Sequence, residues 1–330
     1  MTQKLRIHLQ SNPKAPELFR MTRERYRAAA KRQPEIARRV TCTIATDKNG
    51  FYRAMPRAEV LVGWGFPRKA LDVTAPNLKW IHIIGAGIDH FLPLDWLPKK
   101  VKLVNNKGVH VPKVSEYVVM SLLMLANAVP SLVSQQQKRQ WREIYSTTIR
   151  GKTLLVIGTG HMGGAAARKG KELGLHVLGV RRTPRPHRYI DEMYAPSDLL
   201  QILPRADFVI VTAPLTSQTR GLLGKRELDA MKPEASLVNL GRAEVVDYDV
   251  LRSKLKRGHL KGAVLDVFDS EPLPASSPLW KTPNLIITPH VASDDAETYM
   301  PLTLDLVLEN AGRYLDKRRL KNLVVPSREY

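Results

Sequence analysis

The chain has 330 residues, enough for two domains, and its 43% hydrophobic and 25% charged composition excludes a disordered or fibrous protein. A single cysteine, Cys42, excludes an intramolecular disulfide and suits a reducing, cytoplasmic setting. The 52 Lys and Arg against 31 Asp and Glu leave a net charge of +21, which raises polyanions as partners.

The distribution of that charge argues against nucleic acid. Nine basic residues fall between Lys14 and Arg39, but Glu17, Glu24 and Glu35 are interspersed, and Phe19 and Tyr26 do not make the repeated aromatic interleaving of a base-stacking surface. No Cys/His finger or helix-turn-helix pattern is evident, so the excess is read as solubility and attraction of small anions. Met1 to Gln10 lacks the apolar core of a signal peptide. The apolar stretch Val118 to Val129 is interrupted by Ser121 and Asn127 and is too short to span a bilayer. A soluble protein with no membrane partner is expected.

In chain order, Leu5 to Leu9 reads as a strand and Glu17 to Lys31 as an amphipathic helix. Val40 to Ala45, Ala58 to Val62, Trp80 to Ile84 and Val101 to Val104 read as further strands. From Val111 the pattern changes: Val114 to Asn127 predicts a long apolar helix, followed by a second helical stretch toward Trp141. Thr153 to Ile157 is a buried strand, with others expected at His176 to Val180, Phe208 to Thr212, Ser236 to Asn239, Ala263 to Leu265 and Leu285 to Thr288. Asp295 to Tyr314 closes the chain as a helix. Strands alternating with helices imply parallel sheets. The expectation is an α/β fold of two doubly wound domains. A dinucleotide-binding domain of the Rossmann type (111–293) is inserted into a flavodoxin-like substrate domain made of residues 1–110 and 294–330.

The strand Thr153 to Ile157 leads into Gly158-Thr159-Gly160-His161-Met162-Gly163, and Ala165-Ala166-Ala167 opens a helix after it. Glycines at this spacing occur by chance in loops, but here they have the strand before and the helix after that the chemistry needs. Gly158 permits the tight turn, Gly160 lets the backbone approach a pyrophosphate, and Gly163 lets helix and strand pack closely. At the end of the next strand, where a carboxylate would bind the ribose 2′-hydroxyl of NAD, stand Arg181, Arg182 and Thr183, opening a run with four arginines in eight positions. Guanidinium forks suit a 2′-phosphate, so NADP(H) is expected and NAD(H) is less favoured.

Four blocks resemble the D-isomer-specific 2-hydroxyacid dehydrogenases: Gly158 to Gly163, Val238 to Asp247, Leu265 to Pro274 and Thr288-Pro289-His290. The basic run resembles the family's NADP-using branch that reduces glyoxylate and hydroxypyruvate. The resemblance implies Arg242, Glu271 and His290 as catalytic residues. Reducing a 2-oxo acid needs a proton on the carbonyl oxygen, which a histidine supplies near neutral pH. Glu271 would orient its ring, and Arg242 would hold the carboxylate and polarise the carbonyl. Taken singly, each has a plain structural reading as a capping His, a surface Arg or a loop carboxylate. The resemblance also implies that Asp266 reaches the nicotinamide and that Ala213, Pro214, Leu240 and Gly241 pass the cofactor. Ala86, Gly87 and Ile88 would form a carboxylate nest, and Trp64 and Phe66 a side-chain pocket. His110 reads as a helix-entry residue, the alternative being a residue that approaches the substrate. No metal is expected. A homodimer is implied, with Trp141 packing against the partner. The rival reading is a dinucleotide-sensing regulator on the same fold, like the C-terminal-binding-protein corepressors; a phosphonate or formate dehydrogenase is a second.

Overall fold

The computed structural model describes residues 4–329, so residues 1–3 and 330 of the expected domain boundaries lie outside the described residues. The chain divides into two compact units. Unit 1 runs to His110 and resumes at Asp295, and unit 2 is Val111–Asp294.

Unit 1 is a five-stranded parallel sheet: β1 (Leu5–Gln10), β2 (Val40–Ala45), β3 (Val60–Gly63), β4 (Trp80–Ile83) and β5 (Lys102–Val104), in the order 2-1-3-4-5. This is the flavodoxin-like order. Parallel strands covered on both faces read as near-continuous apolar runs. Val60 and Val62 pack with the C-terminal helix Tyr299–Leu315, while Leu61 between them packs with Phe51 and Leu71 on the other face. The helix expected from Glu17 is corrected. Glu17–Phe19 is a single tight turn and the helix is Arg23–Arg32, because the Thr22 hydroxyl accepts from Arg25 N and caps it there. Met21 is buried just before the cap, and Arg23, Arg27 and Lys31 form an exposed stripe.

Unit 2 is a seven-stranded parallel sheet: β6 (Thr153–Ile157), β7 (His176–Val180), β8 (Glu192–Tyr194), β9 (Phe208–Val211), β10 (Ser236–Asn239), β11 (Gly262–Leu265) and β12 (Leu285–Ile287). The order 12-11-10-9-6-7-8 is the Rossmann order with one added strand, and it reverses between β6 and β9. Leu154 and Val156 face the helices Val111–Ala126 and His161–Glu172, while Leu155 and Ile157 face the opposite core. The strand β8 has no counterpart in the sequence reading. The second helix after Val111 ends at Gln137, and Trp141 stands outside it, 96% exposed. The C-terminal helix begins at Tyr299, later than expected. Among the described residues, no single helix is long and apolar enough to cross a membrane.

Two positions make testable demands. A Cβ on Gly163 would lie 1.9 Å from Gly158 O and 2.8 Å from Thr212 Oγ1, whereas one on Gly160 would meet nothing within 4 Å. Gly163→Ala should therefore cost about 3 kcal/mol or more through overpacking, and Gly160→Ala under about 1 kcal/mol, read from denaturant unfolding. Equal losses would contradict this packing. In unit 1, His82 is fully buried with Nε2 against Asn106 Oδ1 at 3.0 Å. Burial pushes its imidazole down to about 4 from 6.5, partly opposed by the Asn106 bond. The unfolded chain takes up a proton below its pKa that the fold refuses, so stability present above pH 6.5 is lost as pH falls toward 4. The loss is on the order of 3 kcal/mol. A His82→Gln variant should flatten that segment of the pH–stability curve, and an unchanged slope would remove His82 from the account.

Candidate active site

The loop between β6 and the helix His161–Glu172 is built by close approach. Gly158 has φ +93°, and a Cβ there would lie 2.6 Å from Ala213 N. Its amide donates to Val180 O at 2.9 Å, and its carbonyl accepts from Thr212 Oγ1 at 2.6 Å. A Cβ on Gly241 would lie 2.7 Å from Ala213 O. The loops after β6, β7, β9 and β10 thus meet at the C-terminal end of the sheet, at the point where strand order reverses. In open α/β sheets that crevice is where ligands bind.

The candidate cofactor residues fall around it. Gly160 is the N-cap of the helix, with His161 exposed and Met162 half-buried beyond it. Arg181 follows β7 directly, its amide donating to Tyr194 O at 3.1 Å, and Arg182 and Thr183 are exposed. Leu240 is buried, its amide donating to Val211 O at 2.9 Å, and Gly241 N donates to Asn239 Oδ1 at 3.0 Å. The Pro214 carbonyl is taken by Thr219 Oγ1 at 2.6 Å. Beside the helix start lies a cavity of about 470 Å³, lined by Thr159, Gly160 and His161 and also by Arg168, His187 and Tyr189. The last three were not singled out from the sequence. Their signal was weak, because the segment after β7 is irregular and its packing on the helix has no periodicity. Thr159 Oγ1 is buried and has no hydrogen-bond partner. An orphan hydroxyl, open space at Gly160 and a helix N-terminus under positive side chains fit a phosphate-bearing dinucleotide.

Three adjacent strands bring the catalytic candidates to the same edge. Arg242 follows β10, Glu271 lies on the loop after β11, and His290 follows β12. The Arg242 carbonyl accepts from Asn239 Nδ2 at 3.0 Å, and its guanidinium donates to Gly241 O at 2.9 Å. Glu271 is divided: Oε1 accepts from Phe268 N at 2.8 Å and Oε2 faces His290 Nδ1 at 2.7 Å. Against a carboxylate, Nδ1 is the donor, which leaves Nε2 as the nitrogen able to exchange a proton. The His290 side chain is 38% exposed, and its backbone sits at φ +55°, a region His tolerates better than most residues.

Asp266 also has a structural surrounding of its own. It is 2% exposed and accepts from Thr288 Oγ1 (2.6 Å), Val291 N (3.0 Å) and Ala292 N (3.0 Å), while Tyr117 OH bonds Thr288 in turn. Its carboxylate thus ties down the loop that carries His290. Burial raises its pKa, opposed by Thr288 and the two amides.

In unit 1, Trp64 is half-exposed and lies on Gly85, where a Cβ would come within 2.3 Å of its ring. Phe91 and His90 meet the indole edge-on at 5.0 and 5.8 Å. Phe66 is buried, stacked on Phe91, and so belongs to core packing. Ala86 and Gly87 are half-buried and Ile88 is buried. His110 is buried beside the Tyr299 ring at 5.2 Å. Among the described residues, no three His, Cys, Asp or Glu side chains gather as a metal site.

The chain has known counterparts. Residues 119–292 match the family model described as D-isomer specific 2-hydroxyacid dehydrogenase, NAD binding domain. Glyoxylate/hydroxypyruvate reductase B of Pectobacterium atrosepticum is 33% identical over 261 residues, covering 74% of this chain and 79% of the relative. Among solved structures, a D-isomer specific 2-hydroxyacid dehydrogenase from Xanthobacter autotrophicus Py2, in complex with NADPH and MES, superposes with a TM-score of 0.84 at 26% identity, over 99% of this chain and 100% of that one. An NADPH-dependent glyoxylate/hydroxypyruvate reductase from Sinorhizobium meliloti, in complex with NADP and sulfate, gives 0.81 at 26% identity and the same coverage. The chain belongs to the D-isomer specific 2-hydroxyacid dehydrogenase family and is a nicotinamide-dinucleotide-dependent oxidoreductase.

Proposed function

We propose that the protein reduces a small 2-oxo acid of the glyoxylate and hydroxypyruvate class to the D-2-hydroxy acid with NADPH. The observation that carries this reading is the Glu271–His290 pair at 2.7 Å, in which Nδ1 is engaged and Nε2 is left for the substrate. Arg181 beside the glycine turn, and relatives solved with NADPH or NADP, support the choice of dinucleotide.

Bound NADPH supplies a hydride to the carbonyl carbon. The chain's own residues do the rest. Gly160 and the first helical amides seat the phosphates, and Arg181 with Arg182 grips the 2′-phosphate. Arg242 holds the substrate carboxylate and draws charge onto the carbonyl oxygen. His290 Nε2 delivers the proton to that oxygen, and the Glu271 carboxylate opposite Nδ1 keeps the ring oriented. Asp266 keeps the His290 loop in place.

Two experiments test the reading. Replacing Arg181 and Arg182 together by Ala should raise KM for NADPH about 10- to 100-fold, the worth of one or two charge-assisted bonds, with little change for NADH. Equal rises for both cofactors would remove the 2′-phosphate role. His290→Asn, which tolerates the same left-handed backbone, should lower kcat by about 10²- to 10⁴-fold and leave the NADPH dissociation constant within about threefold. A wild-type protein that oxidises NADPH with none of glyoxylate, hydroxypyruvate, pyruvate or phenylpyruvate would overturn the proposal.

A further inference from the structure

The carbonyls that enter the loop Gly85–Ile88 of unit 1 are held by the segment 105–106. Asn106 Nδ2 donates to Ile84 O at 2.7 Å, Asn106 N to Gly85 O at 2.9 Å, and Asn105 Nδ2 to Ala86 O at 2.8 Å. Tyr299 OH also donates to Ile84 O. Three successive carbonyls are therefore drawn toward the segment 105–106. In a planar trans peptide the N–H points opposite to the preceding C=O. The N–H groups of Gly85, Ala86 and Gly87 are accordingly turned to the other side. Among the described residues, no group accepts from the amides of Ala86, Gly87 or Ile88.

The two asparagines are themselves fixed. Both are fully buried. Asn106 Nδ2 also donates to Thr303 Oγ1 at 2.7 Å, and Asn106 Oδ1 faces His82 Nε2 at 3.0 Å. Asn105 exchanges backbone and side-chain bonds with Asn322, which further donates to Lys107 O at 2.6 Å. An amide side chain suits this place because it offers donors to the loop carbonyls while its own oxygen accepts elsewhere.

We infer that Asn105 and Asn106 are positioning residues for substrate: by tying back the carbonyls of Ile84, Gly85 and Ala86, they aim the next amides outward as a cradle for the 2-oxo acid carboxylate. This rests on the reductase reading above. Neither asparagine touches the ligand. Asn105 is the cleaner probe, because Asn106 also carries the His82 and Thr303 bonds. Asn105→Asp keeps the shape but sets an acceptor against Ala86 O, which frees that peptide to rotate and mis-aims the Gly87 amide.

The test is steady-state kinetics of Asn105→Asp and Asn105→Ala, with oxamate as a non-reacting carboxylate probe and thermal melting as a fold check. Having two variants keeps the test open if one does not fold. KM for glyoxylate and Ki for oxamate should rise in parallel by about 10- to 100-fold, the usual cost of displacing a positioned contact by about 1 Å. KM for NADPH should stay within about twofold. Unchanged glyoxylate KM and oxamate Ki in a folded variant would overturn the inference while leaving the reductase reading standing. So would a fall in kcat and melting temperature together with a rise in KM for NADPH, which is the mark of a merely structural role. A wild-type protein that neither reduces a 2-oxo acid nor binds oxamate would instead overturn the underlying reading, and this inference with it.

Discussion

Residue 163 has room for a hydrogen atom and nothing larger, because the Gly158 carbonyl already occupies the place of a side chain. The helix His161–Glu172 therefore starts closer to β6 than any other residue would permit. That approach carries the first-turn amides to the rim of the sheet. The Thr212 hydroxyl and the Val180 carbonyl then hold the Gly158 peptide from either side. Four loops are tied into one rim by contacts that tolerate no added atom, and the rest of unit 2 is arranged around it.

Two carboxylates on this rim act differently because their surroundings differ. Asp266 is sealed and spends its oxygens on one hydroxyl and two backbone amides, so it acts as an internal staple. Glu271 is part-exposed and keeps one oxygen for backbone and the other for an imidazole. Burying a carboxylate costs several kcal/mol unless bonds repay it, which is why the sealed one is saturated. The exposed one keeps an oxygen for a side chain that faces the substrate side of the rim.

The legible parts were those in which chemistry repeats along the chain. Apolar runs such as Val60 to Val62 and Leu154 to Ile157 announce strands because both faces are covered. The glycine spacing announces the turn because its steric demand is local. β8 went unseen: three residues carry no usable period, and its register comes from pairing with β7 and from Glu192, whose carboxyl is drawn down to about 2 by Arg205, with help from Tyr194 and His176. The helix at Glu17 was placed too early because amphipathic spacing outweighed Thr22, the better N-cap. The bonds of Asp266 to the His290 loop were not legible, because no sequence pattern reports that amides 25 and 26 positions further on converge on it. The asparagine pair behind Gly85 was missed for the same reason, as were His187 and Arg168.

The division of unit 1 between two ends of the chain has a consequence for how the protein is made. Tyr299, Met300, Leu304, Val307, Leu308 and Ala311 fill the same core as Leu5, Ile7, Leu9 and Trp80. On a ribosome, those first strands emerge early and must wait, with one apolar face open, until all of unit 2 and the final helix have been synthesised. Unit 2 is continuous and can close on itself meanwhile, bringing the two ends of unit 1 together and lowering the loop-closure entropy of the last step. The nascent N-terminal sheet is thus the stretch most exposed to misassociation during synthesis, and the final helix is the piece that ends that exposure.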